Sequence, residues 1–213
     1  MCFSASASFG ASALLAGAGI VAVKKVESPR MLAFASLPIL FGVQQLSEGM
    51  LWLTFSNPEL DSWHNTSIYL FIFFAQVIWP IWIPFAVWLM EPDKARKKKI
   101  FSFMLMGGAL STYILYCLFA YEVSAVIESR HIRYELHFPN LVLRRSLIFL
   151  TSVVPIFLSS LRWMKLLGGA LLGALILTFI FYTHYVISVW CFFAALLSAL
   201  VLLIIANNKE SKI

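Results

Sequence analysis

The sequence has few charged residues, few cysteines and none of the common catalytic motifs. Asp, Glu, Lys and Arg make up 12% of its 213 residues, about half the share found in an ordinary soluble domain. Its three cysteines are an odd number without CxxC spacing, which argues against a disulfide framework and a zinc finger. Walker A, GxGxxG, GxSxG and HExxH patterns are also absent. The function must therefore be sought in isolated polar residues.

Apolar residues take the place of the missing charge. They make up 61% of the chain, and the mean hydropathy is +0.87. The polar stretches are all short, so the composition indicates a single transmembrane domain over residues 1–213, with the lipid bilayer as its surroundings. The net charge of +6 comes from basic residues that flank apolar segments, so it indicates topology and not a nucleic-acid partner.

Seven apolar segments have lengths suited to membrane-spanning helices. They are 5–23, 31–55, 67–90, 100–121, 141–161, 166–182 and 188–206. With these spans, twelve Lys and Arg residues lie on one side of the membrane and four on the other. The positive-inside rule then places the N-terminus outside and the C-terminus in the cytoplasm. The sequence thus predicts an all-α membrane fold, a seven-transmembrane helix bundle.

Prolines and glycines indicate where these helices bend or approach one another. Four prolines lie inside predicted spans and are expected to kink them: Pro38, Pro80, Pro84 and Pro155. Two of them belong to the run WPIWIP, so we expect the third span to be bent or locally unwound. Gly169 and Gly173 in the sixth span have the small-xxx-small spacing that suits close helix contact.

The loop before the fifth span has a different pattern. Residues 130–138 read Arg-His-Ile-Arg-Tyr-Glu-Leu-His-Phe, and alternation of polar and apolar residues is typical of a β-strand. Residues 123–127 are the matching partner. We predict a short external β-hairpin, or an extended lid, between helices 4 and 5, with its apolar face on the bundle or the lipid surface.

Glu48 is the only acidic residue in segment 31–55. An ionisable group inside a membrane span is costly, so it is a functional-site hypothesis by default. Gln44, Gln45 and Trp52 share its helix face by the i, i+3, i+4 rule, and that face must point into the bundle because lipid cannot solvate it. We predict an extracytoplasmic-facing polar pocket centred on Glu48. Other helices could add polar edges: Gln76, Trp79, Tyr113 and Tyr116.

Three functions fit such a pocket. It could be a structural polar network that fixes helix register. It could be a metal-assisted hydrolase of a lipid or other amphiphile, in which Glu48, His64 and His184 bind zinc and the zinc polarises a water. It could be a small-solute or ion transporter with Glu48 as the proton or cation site. We take the hydrolase as the leading specific hypothesis, because all histidines and cysteines fall in the predicted extracytoplasmic half.

Further candidates lie on the same predicted side. If Met1 is removed, Cys2 becomes an N-terminal catalytic thiol and a further metal ligand; the alternative is an ordinary buried thiol. Arg144 and Arg145 open the fifth span. They either snorkel to lipid phosphates or bind an anionic group of a substrate.

Two motifs carry a family resemblance. The start MCFSASASF and the run FGVQQLSEGMLWL resemble an uncharacterised family of bacterial integral membrane proteins. The resemblance covers mainly residues 1–55 and implies a multi-pass protein of the bacterial inner membrane. A remoter similarity, in span count and orientation, is to alkaline-ceramidase-like seven-span zinc hydrolases. The paired helix histidines of that family are absent here, and only His184 lies near the corresponding region.

Overall fold

The computed structural model describes residues 4–128, 131–181, 185–198 and 200–208, which are mostly helical. The helices, in chain order, are α1 (Ala5–Lys25), α2 (Leu32–Ala35), α3 (Leu37–Ser56), α4 (His64–Ile72), α5 (Trp79–Met90), α6 (Lys94–Ala120), α7 (Leu141–Leu158), α8 (Arg162–Phe181), α9 (Val186–Ser198) and α10 (Leu200–Asn208). Short 3₁₀ helices cover Pro29–Met31 and Pro58–Trp63, and a π-helix covers Phe73–Ile78. Strands β1 (Val123–Glu128) and β2 (His131–Leu136) separate α6 from α7.

Five helical stretches of the described residues are long and apolar enough to cross a membrane. They are Ala5–Lys25, Pro58–Met90, Lys94–Ala120, Leu141–Leu158 and Arg162–Phe181. They correspond to the first, third, fourth, fifth and sixth predicted spans. The helix α3 has the length of a span, but Gln44, Gln45 and Glu48 reduce its hydropathy. In the region of the predicted seventh span, α9 and α10 are each shorter than a span.

Close packing of α1 against α3 sets the position of Glu48. The hydroxyl of Ser12 donates a hydrogen bond to the Gly42 carbonyl oxygen at 2.8 Å. A Cβ on Gly42 would lie 3.2 Å from the Ser12 carbonyl oxygen, so glycine permits this approach. About two turns further along α3, Gly49 lies against the ring of Phe9. The two glycines therefore let α3 pack closely against α1 both before and after Glu48 in the sequence.

The expected distortion of the third span is a π-helix between α4 and α5. Pro80 and Pro84 have no N–H, so backbone carbonyls one turn earlier lose their intrahelical donors. The hydroxyl of Ser111 on α6 donates to the carbonyl of Val77 at 2.6 Å. Gly107 of α6 lies so close to the Pro80 carbonyl that a Cβ would overlap it. Tight contact with α6 thus accommodates the irregular backbone, as membrane interiors require.

The predicted hairpin is confirmed as an antiparallel pair in which Val123 faces Leu136 and Glu128 faces His131. Its apolar face packs on the bundle, where the ring of Tyr134 stacks on Phe71 with centroids 4.6 Å apart. His131 departs from the predicted alternation, because it is buried and its ring stacks at 4.6 Å on Tyr185. Burial disfavours the charged form of this imidazole and lowers its pKa.

The spacing of Gly169 and Gly173 does not mark a helix contact in the described structure. A Cβ built on either residue would meet no atom within 4 Å. The neighbouring Gly168 instead faces α7, where a Cβ would lie 3.1 Å from the ring of Phe157. The α7–α8 interface therefore uses the face of α8 that lies one residue away from the predicted one.

Candidate functional site

The polar face of α3 points into the protein. Gln44, Gln45 and Glu48 are fully buried, as the helical spacing predicts. Trp52 is only partly buried and lies one turn further along the helix. Three long polar side chains on one buried face are unusual in a membrane interior, where polar groups cost free energy unless other groups solvate them.

Two other helices solvate part of this face. The Trp79 indole N–H donates to Gln44 Oε1 at 2.8 Å, and its ring stacks on Phe41 with centroids 3.9 Å apart. Ser188 of α9 donates its hydroxyl hydrogen to Glu48 Oε1 at 2.6 Å. We call the group Gln44, Gln45, Glu48, Trp79 and Ser188 the Glu48 layer. It joins α3, α5 and α9.

Several buried polar atoms near this face have no hydrogen-bond partner among the described residues. They are both side-chain polar atoms of Gln45, Nε2 of Gln44 and Nε1 of Trp52. A buried donor or acceptor without a partner costs about 1–3 kcal/mol. In native proteins such groups are usually met by ordered water or a ligand. This face therefore has spare hydrogen-bonding capacity of both kinds, donor and acceptor.

A cavity of ≈ 430 Å³, here called the cavity beside the Glu48 layer, is lined by sequence neighbours of that layer and by none of its five members. Ile187, the neighbour of Ser188, lines it, and so does Gln76, three residues before Trp79. Arg145 also lines the cavity, while most of the remaining surface is apolar, including Phe149 and Leu175. The structure thus brings two predicted ligand-binding residues, Gln76 and Arg145, to one cavity beside the predicted centre.

The two arginines that open α7 lie in different surroundings. Arg145 faces the cavity beside the Glu48 layer, whereas Arg144 lines a second cavity between α6 and α7. Arg144 is only 2% exposed. Its guanidinium lies 4.7 Å from the centroid of the Phe138 ring. Arg144 therefore does not snorkel to the surface in this structure, since its side chain is buried and Phe138 covers one face of the guanidinium.

The predicted metal site is only partly described. His64 begins α4, and its Nδ1 lies 2.8 Å from the Thr54 hydroxyl oxygen. Within the part of the chain that the structure describes, no three His, Cys, Asp or Glu residues are grouped to hold a metal ion. His184 and Cys2 lie outside the described residues. Zinc ligation by Glu48, His64 and His184 therefore stays a prediction, as does catalysis by Cys2.

The prediction that Tyr116 adds a polar group to the pocket around Glu48 is wrong. Its side chain is 64% exposed, so it faces away from the protein interior. Tyr113 is also exposed and lines the cavity between α6 and α7. One side of α6 packs on the bundle and the other is exposed. The spacing of residues in the sequence does not show which side carries Tyr113 and Tyr116.

Sequence reasoning missed a buried carboxylate at the other end of the bundle. Glu91 follows α5 and accepts hydrogen bonds at 2.8 Å from the Ser159 hydroxyl and the Ser160 N–H. The Ser160 hydroxyl and the Asp93 N–H donate to its other oxygen, at 2.6 and 3.2 Å. Burial alone would raise the pKa of the Glu91 carboxyl, but these bonds together lower it. The signal was a glutamate directly before a proline, at the end of an apolar run.

Comparison with known proteins identifies a family and no activity. No curated protein and no solved structure matches the chain. The similarity to alkaline-ceramidase-like hydrolases therefore gains no support. The family model described as "Family of unknown function (DUF6629)" matches residues 1–213, and the chain belongs to this family.

Proposed function

We propose that this chain is an integral membrane protein that binds an amphiphile with an anionic head, in the cavity beside the Glu48 layer. The single observation that supports this proposal is the lining of the cavity. One cation and one amide face a space of ≈ 430 Å³ whose other walls are mainly apolar. A ligand with a charged head and a hydrocarbon part matches such a lining, because each part meets groups of its own polarity.

The head would bind at Arg145 and Gln76. Nε of Arg145 and Oε1 of Gln76 are buried without a hydrogen-bond partner among the described residues. The Arg145 N–H would donate to a head-group oxygen, whereas the Gln76 oxygen would accept from the P–OH of a singly charged phosphate head. A guanidinium offers several donors in a planar fork that suits phosphate and carboxylate groups. The hydrocarbon part would lie along Phe149, Leu175 and Phe179. An anionic head is therefore favoured over a cationic or an uncharged one.

Glu48 would act as the proton-exchanging group behind this cavity. Its carboxylate is fully buried and accepts a hydrogen bond from Ser188, whose neighbour Ile187 lines the cavity. A carboxyl group in such a position changes protonation when a nearby charge arrives or leaves. This supports the transporter hypothesis, in which Glu48 couples proton movement to movement of the ligand. Metal-assisted hydrolysis of the same amphiphile is the alternative and depends on His184.

The membrane arrangement is part of the proposal. The chain would cross a bacterial inner membrane seven times, with the N-terminus outside and the C-terminus in the cytoplasm. The distribution of Lys and Arg supports this arrangement. Alkaline phosphatase fused after Ile213 should be inactive and a fluorescent protein fused there should be bright. The reverse pattern would refute the orientation.

Binding is tested with radiolabelled dodecyl phosphate and purified protein in a neutral detergent. Losing a charge-assisted hydrogen bond should weaken binding roughly tenfold or more, so Arg145→Met should reduce affinity by at least that factor. Arg133→Met is the matched control, because Arg133 pairs with Glu128 and Glu135 on the hairpin. Dodecanol, which lacks the charge, should bind wild type and Arg145→Met equally. Equal affinity of both proteins for dodecyl phosphate would refute the proposed head site.

The role of Glu48 has a separate test. Glu48→Gln keeps an acceptor for the Ser188 hydroxyl, so the fold should persist while the exchangeable proton is lost. In proteoliposomes, a pH gradient should drive uptake of labelled dodecyl phosphate by wild type and not by Glu48→Gln. Gradient-dependent uptake by both proteins would count against Glu48 as the coupling group. If Glu48→Gln still binds dodecyl phosphate with unchanged affinity, the proposed head site at Arg145 is unaffected by the result for Glu48.

A further inference from the structure

The cavity between α6 and α7 is lined in part by Arg144, a buried cation. Arg144 is 2% exposed. Its Nε, Nη1 and Nη2 atoms have no hydrogen-bond partner among the described residues. The ring of Phe138 covers one face of the guanidinium, 4.7 Å from Cζ. A cation–π contact stabilises the charge but leaves the N–H donors, which lie in the guanidinium plane, without acceptors.

The start of α7 adds further donors at the same place. The residue before the helix, Asn140, has left-handed backbone angles, with φ 55, and its side chain makes no capping hydrogen bond. The first backbone N–H groups of a helix have no intrahelical partner, and the helix dipole makes this end positive. Asn140 and Arg144 line the same cavity. An uncapped end of an 18-residue helix and a buried guanidinium therefore favour a negative group together.

The cavity is large enough for more than a bound water. Its volume is ≈ 370 Å³, against about 30 Å³ for one water molecule in the liquid. Apart from its polar end, the lining is mainly apolar and includes Leu110, Leu143 and Leu147. A charge that stays buried without a partner is strongly unfavourable. An oxyanion that enters from the lipid side or from water would supply the missing acceptors.

We infer that Arg144 and the N-terminus of α7 form a second anion site, which takes a phosphate oxyanion. The site is separate from the cavity beside the Glu48 layer, because Arg144 and Arg145 line different cavities. It therefore does not depend on the proposed function. The phosphate has two possible sources, a phospholipid head group or free inorganic phosphate, and both meet the same donors.

The test uses two variants of the full chain. Arg144→Met removes the charge and keeps an apolar side chain of similar length. Ala109→Trp fills the cavity from an exposed position on α6 without touching the cation. Leu105→Trp is the matched control, because Leu105 is exposed on the same helix and does not line this cavity. Delipidated protein in dodecylmaltoside is titrated with phosphatidylglycerol and, separately, with inorganic phosphate, and native mass spectrometry counts the bound molecules.

The expected result is a phosphate-bearing molecule bound to wild type and to Leu105→Trp, with affinity at least roughly tenfold weaker in both site variants. Binding of phosphatidylglycerol without competition from inorganic phosphate would identify a lipid head group as the source. Binding of inorganic phosphate alone, or its competition with the lipid, would identify free phosphate. Unchanged affinity for both probes in Arg144→Met and in Ala109→Trp would overturn the inference. Because Ala109 is exposed, its variant is informative even if the Arg144 variant does not fold.

Discussion

Glu91 offers the sharpest test of how the ends of the bundle are joined. Its carboxylate connects the segment after α5 with the segment between α7 and α8, through the hydroxyls of Ser159 and Ser160 and the Ser160 N–H. We expect Glu91→Gln to destabilise the protein. The substitution keeps the shape of the side chain but replaces one acceptor oxygen by an amide NH₂ that faces two donors.

The size of the effect follows from these contacts. Each carboxylate oxygen accepts two hydrogen bonds in the described structure. A hydrogen bond to a charged group contributes about 1.5–3 kcal/mol. The amide removes two of them, while a serine hydroxyl can rotate and accept from the new NH₂. The expected loss in the free energy of unfolding is therefore about 2–4 kcal/mol.

The pH dependence distinguishes a charged carboxylate from a neutral one. Because the pKa of folded Glu91 lies below the ordinary value of 4.5, its stabilising effect is fully present above that pH. The effect disappears as the pH falls through the lowered pKa of the folded state, since both states are then protonated. Wild type and Glu91→Gln should thus differ most at neutral pH and converge in acid.

Unfolding by sodium dodecyl sulfate in mixed micelles, followed by circular dichroism, measures both effects. Glu59→Gln is the control, since Glu59 is exposed in the Pro58–Trp63 turn and should change stability by about 0.5 kcal/mol or less. The reasoning is refuted if Glu91→Gln is as stable as Glu59→Gln at neutral pH. A difference that stays constant into acid would show that the charge has no part in the contact.

Two further predictions concern helix packing and metal binding. Gly107→Ala should destabilise the protein by about 1–3 kcal/mol, because its Cβ would overlap the Pro80 carbonyl. Gly108→Ala, with no atom within 4 Å of the new Cβ, should be neutral, and equal stability of the two variants in the same unfolding assay would contradict the predicted overlap. If zinc binds through Glu48, His64 and His184, purified protein should contain bound zinc by elemental analysis, and His64→Ala should lose it. Absence of any transition metal, or equal metal content in both proteins, would exclude that hydrolase mechanism.

Periodic patterns account for the parts of the fold that were predicted correctly. The inward face of α3 follows from three polar residues at helical spacing, Gln44, Gln45 and Glu48, because a lipid-facing orientation would leave them unsolvated. The hairpin follows from strict alternation between residues 130 and 138. The distortion before Pro80 follows from the missing N–H groups of WPIWIP. Each of these depends on local geometry and on the polarity of the surroundings, which the sequence contains directly.

Other features depend on which helices become neighbours. Arg144 and Arg145 are adjacent in the sequence, yet α6 and Phe138 enclose the first while the second lines the cavity beside the Glu48 layer. The partner of Glu91 is 68 residues away at Ser159, a distance over which no pattern is visible.

The sequence by itself determined that this is a helical membrane protein with a costly carboxyl group on a buried face. Hydropathy and helical spacing are sufficient for that conclusion, since the bilayer selects for both. Only the tertiary structure decided what surrounds the polar groups: the serine that donates to Glu48, and the separate cavities that Arg144 and Arg145 line. Those contacts arise from the packing angles and contact faces of several helices at once, and these are properties of the assembled bundle and not of any one segment.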